Sequence, residues 1–384
     1  MIRHLAVAHE VTVAAPMRSR REAEGVDDLG RYCAKVVTAR LGRLAASARM
    51  IARLPTATPS SFGYFYSPQL AGLIRAELDS GGYDVVVGHC SSIAPYFADA
   101  GVPKILDFGD MDSQKWLAYA DSKAFPMSLG YWIEGRKLER VEKHLSRRFD
   151  LCLCTTAAEL GTLRQFGTAR WSDSVGNGVD TDYFAPQTSP YDRDLICFLG
   201  RMDYYPNQEC MIRFCNQILP VLRSRRPAVR LTIVGARPSR QVRALAQLPG
   251  VTVTGTVADV RPFARGAALS VAPLNIARGT QNKILESLAM GVPVVCSPIA
   301  ASGVDAVAGE HLLTARDPID YVDAIVRVLE NPVERDRLAS AGRARVLSHH
   351  NWTASMQRLE DLIVECVARA GRGQQAGPGV RHTA

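Results

Sequence analysis

The residues best suited to chemistry lie in one short segment, RGTQNKILESLAMGVPVVCS, at positions 278–297. Its middle has apolar residues at helical spacing, and its end is a short apolar run typical of a buried strand. We expect the helix to begin at Thr280, a good N-cap residue, and to stop before Gly291. The segment therefore predicts a tight loop, a short helix and a strand.

The polar residues of this helix are concentrated in its first two turns. Backbone N–H groups of Gly279, Thr280 and Gln281 have no partner within a helix, so we expect them to bind a phosphate together with the ammonium of Lys283. Glu286 lies about one turn deeper, where a carboxylate accepts hydrogen bonds from sugar hydroxyls. The spacing of these residues is equally consistent with an ordinary capped core helix in which Lys283 and Glu286 form an ion pair.

The same segment resembles the donor-binding signature of retaining GT-B glycosyltransferases, in particular the family 4 enzymes that build bacterial surface polysaccharides. Their motif is Glu, seven residues, Glu, and then a small-Gly-x-Pro-Val-Val strand. Glu286 matches the second acid, which in the family binds the ribose of the sugar nucleotide. The first acid, which in the family usually contacts the transferred sugar, is replaced by Arg278. The resemblance therefore does not identify which sugar is transferred. The sequence ARGTQNKILE is similar to that of a subgroup of sugar transferases associated with exopolysaccharide loci.

The resemblance implies an α/β fold of the GT-B type, with two Rossmann-like, doubly wound parallel-sheet domains that face a cleft. Gly200 and Arg201 match the family's Gly-Arg motif, so Arg201 is expected to bind the diphosphate and to act in catalysis with Lys283. The lysine that the family carries a few residues after this motif is absent. Backbone at Val257 corresponds to the segment that contacts the base. Asp110 is the expected acid facing the sugar.

These residues follow predicted strands, and ligands bind at the carboxyl ends of parallel strands. Short β-branched or apolar runs alternate with segments long enough for crossover helices, the pattern of a parallel sheet. The runs begin at or cover Glu10, Asp84, Lys104, Asp150, 194–200, 229–235, 251–255, 268–274 and 292–297. Residues 112–148 are predicted to be helical with an interruption at Pro126.

Two domains are expected from the length of 384 residues and from a turn-rich segment near residues 170–190. We place the acceptor-side domain at 1–175 and the nucleotide-sugar-binding domain at 176–350. A last helix at 351–370 and a disordered tail at 371–384 follow.

Polar residues also follow the strands of the first domain. His89 is either a ligand of the acceptor or a structural residue. Asp112 is expected to be a helix N-cap, and Glu159 is either a residue of the cleft or an acid in the first turn of a helix.

The positive charge is unevenly distributed. The formal net charge is +8, and no acidic residue lies between Asp28 and Glu77, where seven basic residues occur. We predict a helix at 35–54 with Val37, Leu41, Leu44, Ala48 and Ile51 on one face and basic residues on the other. This basic face is either an ordinary solvated surface or a patch for anionic membrane or for the acceptor.

Composition and sequence patterns argue against several other classes of protein. No apolar run is long enough to span a bilayer, and the first residues lack the apolar region of a signal peptide. A cytoplasmic location is therefore expected, with peripheral contact at the inner face of the plasma membrane as a second option. The nine cysteines show neither a disulfide framework nor a zinc pattern. Nucleic acid is not an expected partner, because zinc-finger, RRM and basic-zipper patterns are missing.

The expected reaction is transfer of a sugar, with retention, from a nucleotide diphosphate sugar to a glycan or lipid-linked acceptor, without a metal or other cofactor. Protein cations would stabilise the leaving group, the acceptor hydroxyl would attack from the front face, and domain closure would exclude water. The alternatives are a nucleotide-sugar epimerase on the same fold and a scaffold protein that has lost activity. A dinucleotide dehydrogenase is less favoured because no GxGxxG follows a strand.

The beginning of the chain reads as the last two turns of a helix followed by a strand. A domain of this class ordinarily starts with a central strand and a glycine-rich turn. We therefore expect about 20 further residues upstream of Met1, including that strand.

Overall fold

The computed structural model describes residues 1–375, without the side chains of residues 20, 21, 23, 24 and 373–375. The chain divides into two compact units. The first unit contains Met1–Val175 and the segment from Met356 onward, and the second contains Gly176–Ser355.

The first unit consists of helices around parallel strands. Its elements are α1 (Ile2–Ala8), β1 (Thr12–Met17), α2 (Arg20–Leu29), β2 (Lys35–Arg40), α3 (Arg43–Arg53), α4 (Ser60–Phe65), α5 (Pro68–Asp79), β3 (Val86–His89), a 3₁₀ turn (Ser91–Tyr96), β4 (Lys104–Asp107), α6 (Asp112–Ser122), α7 (Met127–Arg148), β5 (Leu151–Cys154), α8 (Ala157–Gln165) and β6 (Ser172–Ser174). Strands β3-β4-β5-β6 form one sheet and β1-β2 a second, and all pairs are parallel.

The second unit is built on one six-stranded parallel sheet of order β12-β11-β10-β7-β8-β9. Its elements are β7 (Asp192–Leu199), α9 (Tyr205–Arg213) continued by a π turn (Phe214–Ile218) and α10 (Leu219–Arg225), β8 (Arg230–Val234), α11 (Arg240–Ala244) with a 3₁₀ turn (Leu245–Gln247), β9 (Val251–Gly255), α12 (Arg261–Arg265), β10 (Ala267–Ala272), α13 (Asn282–Ala289), β11 (Val294–Cys296), α14 (Pro298–Ala301), β12 (Leu313–Thr314), α15 (Pro318–Glu330) and α16 (Pro332–His349). The first strand of this unit lies in the middle of the sheet, as in a doubly wound fold.

The core of the second unit is continuous and apolar. Strand β10 is buried at every position, and the side chains of Phe198, Phe214 and Tyr321 are almost fully shielded from solvent. Such a core fixes the strand ends rigidly, and the candidate site lies on those ends.

The final helix, α17 (Trp352–Gln375), leaves the second unit and packs on the first. Its buried residues Met356, Leu359 and Leu362 share an apolar cluster with Ile105 of β4 and Leu151 of β5. The helix continues five residues beyond the predicted end at 370, and the rest of the predicted tail, residues 376–384, lies outside the described residues.

All nine predicted strands are confirmed, as is the break between α6 and α7 at Pro126. The helix predicted at 35–54 is wrong in its first part, because residues 35–40 form β2, paired in parallel with β1. Burial alternates along β2, with Val37 and Ala39 buried, and this period-2 pattern outweighs the helical spacing. The helix begins only at Arg43.

β1 and β3 belong to different sheets of the first unit, and residues of both line an apolar groove with α5. The strand expected upstream of Met1 stays a prediction. None of the helices within residues 1–375 is both long enough and apolar enough to cross a membrane.

Candidate functional site

The candidate site is a pocket of about 840 Å³ in the second unit. It lies at the carboxyl edge of the sheet, where the segments after β7, β8, β9 and β10 meet the start of α13. Its lining includes most of the predicted ligand-binding residues, namely Gly200, Arg201, Val257, Thr280, Gln281, Lys283 and Glu286. Gly279 adjoins this lining in the loop before α13.

Arg201 stands at the mouth of the pocket, directly after β7. Its side chain is 71% exposed, and its Nε and Nη2 atoms donate to the two carboxylate oxygens of Asp203 at 3.1 and 2.8 Å. Arg237, after β8, also approaches Asp203, at 3.5 Å. The hydrogen bond from Arg201 lowers the pKa of Asp203, so this carboxylate is charged at neutral pH. Two guanidinium groups therefore surround one carboxylate at the pocket mouth, an arrangement suited to anion binding.

Lys283 adds an ammonium group from the first turn of α13. Its ammonium donates to the Oδ1 atom of Asn207 at 2.8 Å and lies 5.5 Å from the centre of the Phe198 ring. Burial lowers the pKa of Lys283, while nearby Cys210 and Glu286 act in the opposite direction. The ion pair with Glu286 that the alternative of an ordinary core helix implied is thus replaced by a bond to an uncharged amide.

The helix begins one residue later than predicted. The N-cap of α13 is Gln281, not Thr280, and it makes no side-chain cap bond. The loop before the helix is held in a non-helical conformation by two features. Gly279 has a left-handed backbone (φ 61°), and the side-chain amide of Gln281 donates to the carbonyls of Arg278 and Gly279. The unpaired N–H groups of the first turn are consequently those of Asn282 and Lys283.

Glu286 lines the pocket about one helical turn after Lys283. Burial raises its pKa to about 7, although the charge of Lys283 partly counteracts this effect. Within residues 1–375 no protein donor binds its carboxylate. The group is therefore available to accept hydrogen bonds from a ligand.

The turns after β7 and β8 touch each other through their backbones. A Cβ atom added to Gly235 would lie 1.7 Å from the carbonyl oxygen of Gly200, and Met202 donates its N–H to the Ala236 carbonyl at 2.9 Å. This contact fixes the peptide that carries Arg201. Val257 follows β9 and lines the pocket.

A second polar group occupies the carboxyl edge of the four-stranded sheet in the first unit. The Nδ1 atom of His89 is 2.8 Å from the Asp107 carboxylate, which together with neighbouring Cys90 raises the pKa of the imidazole to about 10. Asp110 accepts a hydrogen bond of 3.1 Å from the Thr155 hydroxyl. The ring of His89 remains 59% exposed, so the group can contact a ligand.

Two other polar residues at this edge have structural positions. Glu159 is 2% exposed and accepts a hydrogen bond from the Met111 N–H at 2.8 Å. Asp112 is the first residue of α6 rather than its N-cap, which is Met111. In the part of the chain that the structure describes, no cluster of three or more His, Cys, Asp or Glu side chains is arranged to hold a metal ion.

The site also includes Asn207 and Asp203, which the sequence patterns did not indicate as site residues. Both lie in the segment MDYYPNQ, which lacks the lysine that the family resemblance implies. Polar residues directly after a strand would have been a usable signal, but their partners, Lys283 and Arg237, are distant in sequence.

Comparison with protein families matches both units. The model described as "Glycosyltransferase Family 4" matches residues 1–183, and the model "Glycosyl transferases group 1" matches residues 193–331.

Among curated proteins, the chain is 32% identical over 208 residues to a phosphatidyl-myo-inositol mannosyltransferase of Mycobacterium leprae, covering 51% of this chain and 54% of that protein. It is 25% identical to a D-inositol 3-phosphate glycosyltransferase of Thermobifida fusca, covering 79% and 75%. The chain thus spans about half the length of the mannosyltransferase and three quarters of the second enzyme.

Solved structures share the fold. HepE of Anabaena in complex with UDP superposes with a TM-score of 0.69 at 15% identity, covering 95% of this chain and 94% of that one. A sucrose-phosphate synthase of Thermosynechococcus elongatus gives 0.64 at 18% identity, covering 79% and 78%. Two parallel-sheet Rossmann-like units of this kind define the GT-B fold, and the chain belongs to the group 1, family 4 glycosyltransferases.

Proposed function

We propose that the protein is a retaining glycosyltransferase whose donor, a nucleotide diphosphate sugar, binds in the pocket of the second unit. The observation that carries this proposal is the convergence of Arg201, Lys283, Glu286 and the first turn of α13 on one pocket. The cations and backbone N–H groups suit a diphosphate, and the carboxylate suits the ribose hydroxyls.

In the proposed reaction the bond between the anomeric carbon and the diphosphate oxygen breaks while the acceptor hydroxyl oxygen bonds to that carbon from the same face. The hydroxyl proton passes to the departing phosphate oxygen. Negative charge therefore grows on the leaving group, and Arg201 and Lys283 are placed to stabilise it. Preorganised donors of this type contribute roughly 3 kcal/mol each to lowering a barrier.

For the acceptor we propose a glycan or lipid-linked glycan of bacterial exopolysaccharide or other cell-surface polysaccharide synthesis, handled by the first unit. Asp110 and His89 present a carboxylate and an exposed imidazole at the edge of its sheet. A relative named for phosphatidyl-myo-inositol supports a lipid-linked acceptor, and one named for D-inositol 3-phosphate supports a polar one.

We further propose peripheral contact of the first unit with anionic membrane at the cytoplasmic face. Helix α3 turns apolar side chains outward, with Leu44 89% and Ile51 58% exposed, in the interval that lacks acidic residues. Lys137 of α7 joins the two helices, since its ammonium donates to the carbonyls of Arg53 and Leu54. The start of α7 adds Phe125, Met127, Leu129 and Trp132, all exposed. Apolar and aromatic side chains beside basic ones favour the membrane interface.

Liposome flotation tests this contact. We expect binding to vesicles containing phosphatidylglycerol, loss of binding with Trp132→Ser, and retention with Val333→Ser, an apolar residue of the second unit that is 81% exposed against 52% for Trp132. Equal binding to neutral and anionic vesicles, insensitive to salt, would contradict the proposal.

The enzymatic proposal is tested with a panel of UDP-, GDP-, ADP- and dTDP-sugars and a glycan or polyprenyl-linked acceptor mixture. A transferase releases the nucleoside diphosphate in step with glycosylation of the acceptor. An epimerase converts the donor without acceptor, and an inactive scaffold binds the nucleotide without releasing product. Transfer with inversion would overturn the retaining mechanism.

A further inference from the structure

Asn207 lies between the two cationic elements of the pocket. It occupies the first turn of α9, directly after Pro206, and is only 3% exposed. Its Nδ2 atom donates to the backbone carbonyl of Arg201 at 2.9 Å, and its Oδ1 atom accepts from the ammonium of Lys283 at 2.8 Å. One side chain thus joins the turn after β7 to the first turn of α13.

This placement is closely constrained. A Cβ atom added to Gly200 would lie 2.8 Å from the Asn207 amide nitrogen, so the carboxamide packs directly against the turn that precedes Arg201. A buried amide is costly unless both of its ends are bonded, and here both ends are. No apolar residue of similar size could satisfy the Lys283 ammonium and the Arg201 carbonyl.

The charged environment of Lys283 explains why an amide is useful at this position. Cys210 of α9 and Glu286 of its own helix exert electrostatic effects on the lysine, and the Phe198 ring of β7 lies beneath the ammonium. A carboxylate in place of the amide would neutralise the ammonium. A neutral acceptor holds the flexible lysine in one position and leaves its charge for a ligand.

We propose that Asn207 is a positioning residue for the donor diphosphate, which holds the Lys283 ammonium beside the Arg201 turn so that both cations meet the same phosphates. This inference rests on the proposed donor site and deepens it. It also explains how Lys283 of α13 can serve beside Arg201 although the segment after Gly200-Arg201 has no lysine.

The test compares nucleoside diphosphate with nucleoside in the full chain. Uridine and UDP, or the corresponding pair for the base that binds best, are titrated calorimetrically into the wild type, Asn207→Leu and Asn207→Asp. The first variant removes both bonds, and the second keeps the shape but neutralises the lysine and loses the donor to the Arg201 carbonyl. We expect UDP affinity to fall about tenfold in both, as for a lost hydrogen bond to a charged group, with uridine affinity unchanged.

A double-mutant cycle with Lys283→Met identifies the route of the effect. If Asn207 acts through the lysine, Asn207→Leu has little further effect on UDP affinity in the Lys283→Met background. Asn216→Leu is the matched control, because Asn216 is exposed on the π turn that continues α9. It should bind both ligands like the wild type.

Three results overturn the inference. UDP affinity could be retained in both Asn207 variants, uridine affinity could fall as far as that of UDP, or the Asn207 and Lys283 effects could add in full. If the wild type binds no nucleoside diphosphate at all, the proposed donor site fails together with the inference. If Asn207→Leu does not fold, the Asp variant alone still decides, since its side chain is isosteric.

Discussion

At the scale of single residues, the ionisation of Glu286 links the pocket to pH. Burial raises its pKa to about 7, so the carboxylate is lost as the pH falls through neutrality. Only the ionised form provides a charge-assisted acceptor for ribose hydroxyls. The ribose contact should therefore be present above this pKa and weaken below it.

We predict that nucleoside affinity decreases as the pH is lowered from about 8.5 to about 5.5, with an inflection near the raised pKa of Glu286. The nucleoside is used because it carries no phosphate that titrates in this range. Glu286→Gln, which cannot ionise, should bind weakly with no such inflection. A wild-type profile that matches the Gln variant at every pH would exclude Glu286 as the ribose ligand.

Asp203 occupies the guanidinium fork of Arg201 that a diphosphate would need. A ligand must compete with two hydrogen bonds of 3.1 and 2.8 Å. We predict that Asp203→Asn increases nucleoside diphosphate affinity roughly threefold, the scale of an exposed ion pair. Calorimetry against Asp194→Asn, which removes the same charge from an ion pair with Arg226 outside the pocket lining, provides the control. Equal binding by Asp203→Asn would show that the carboxylate does not compete with the ligand, and weaker binding would show that it assists the ligand.

The sequence identified Arg201, Lys283 and Glu286 as members of a common pocket, because each has a recognisable position relative to a strand or helix end. It did not reveal Asn207 or Asp203. Their roles depend on side-chain contacts with Lys283 and Arg237 that only folding creates, and spacing along the chain contains no information about them.

At the scale of elements, the site depends on close backbone contact between the turns after β7 and β8. The Gly235 position has no space for a side chain, since its Cβ would overlap the Gly200 carbonyl oxygen. Any side chain there would displace the peptide that carries Arg201.

Gly235→Ala should therefore destabilise the protein by roughly 3 kcal/mol and weaken diphosphate binding, because the clash is with backbone and cannot be relieved by a rotamer change. Gly161→Ala in α8 is the control. Its Cβ would meet open space, and removing a helical glycine should stabilise by about 0.5 kcal/mol. Calorimetric melting measures both. A Gly235→Ala variant that melts like the wild type would refute this reading of the turns.

The elements were predictable where periodicity and burial agree. The strand ending in Val234 and the helix α7 are examples. Prediction failed at β2, where apolar residues fit both a helix and a strand, and pairing with β1 decided the outcome. It also misplaced the start of α13, since the Gln281 side chain holds the preceding loop by bonds that no N-cap rule anticipates.

At the scale of the whole molecule, two parallel-sheet units each present polar residues at the carboxyl edge of a sheet. Composition and the alternation of strands and helices were sufficient to predict these units, and a boundary near residue 175 is where the compact units separate. The return of α17 to the first unit was not predicted, because an amphipathic helix does not specify which apolar surface it covers.

The measurement that tests the account most directly is calorimetric titration of UDP, GDP, ADP and dTDP into the wild type, Arg201→Ala and Glu286→Ala. We predict that the wild type binds at least one of them. Arg201→Ala should weaken the diphosphate by about tenfold while sparing the nucleoside, and Glu286→Ala should weaken both. Wild-type affinity in both variants would contradict the assignment of the donor site to the pocket of the second unit.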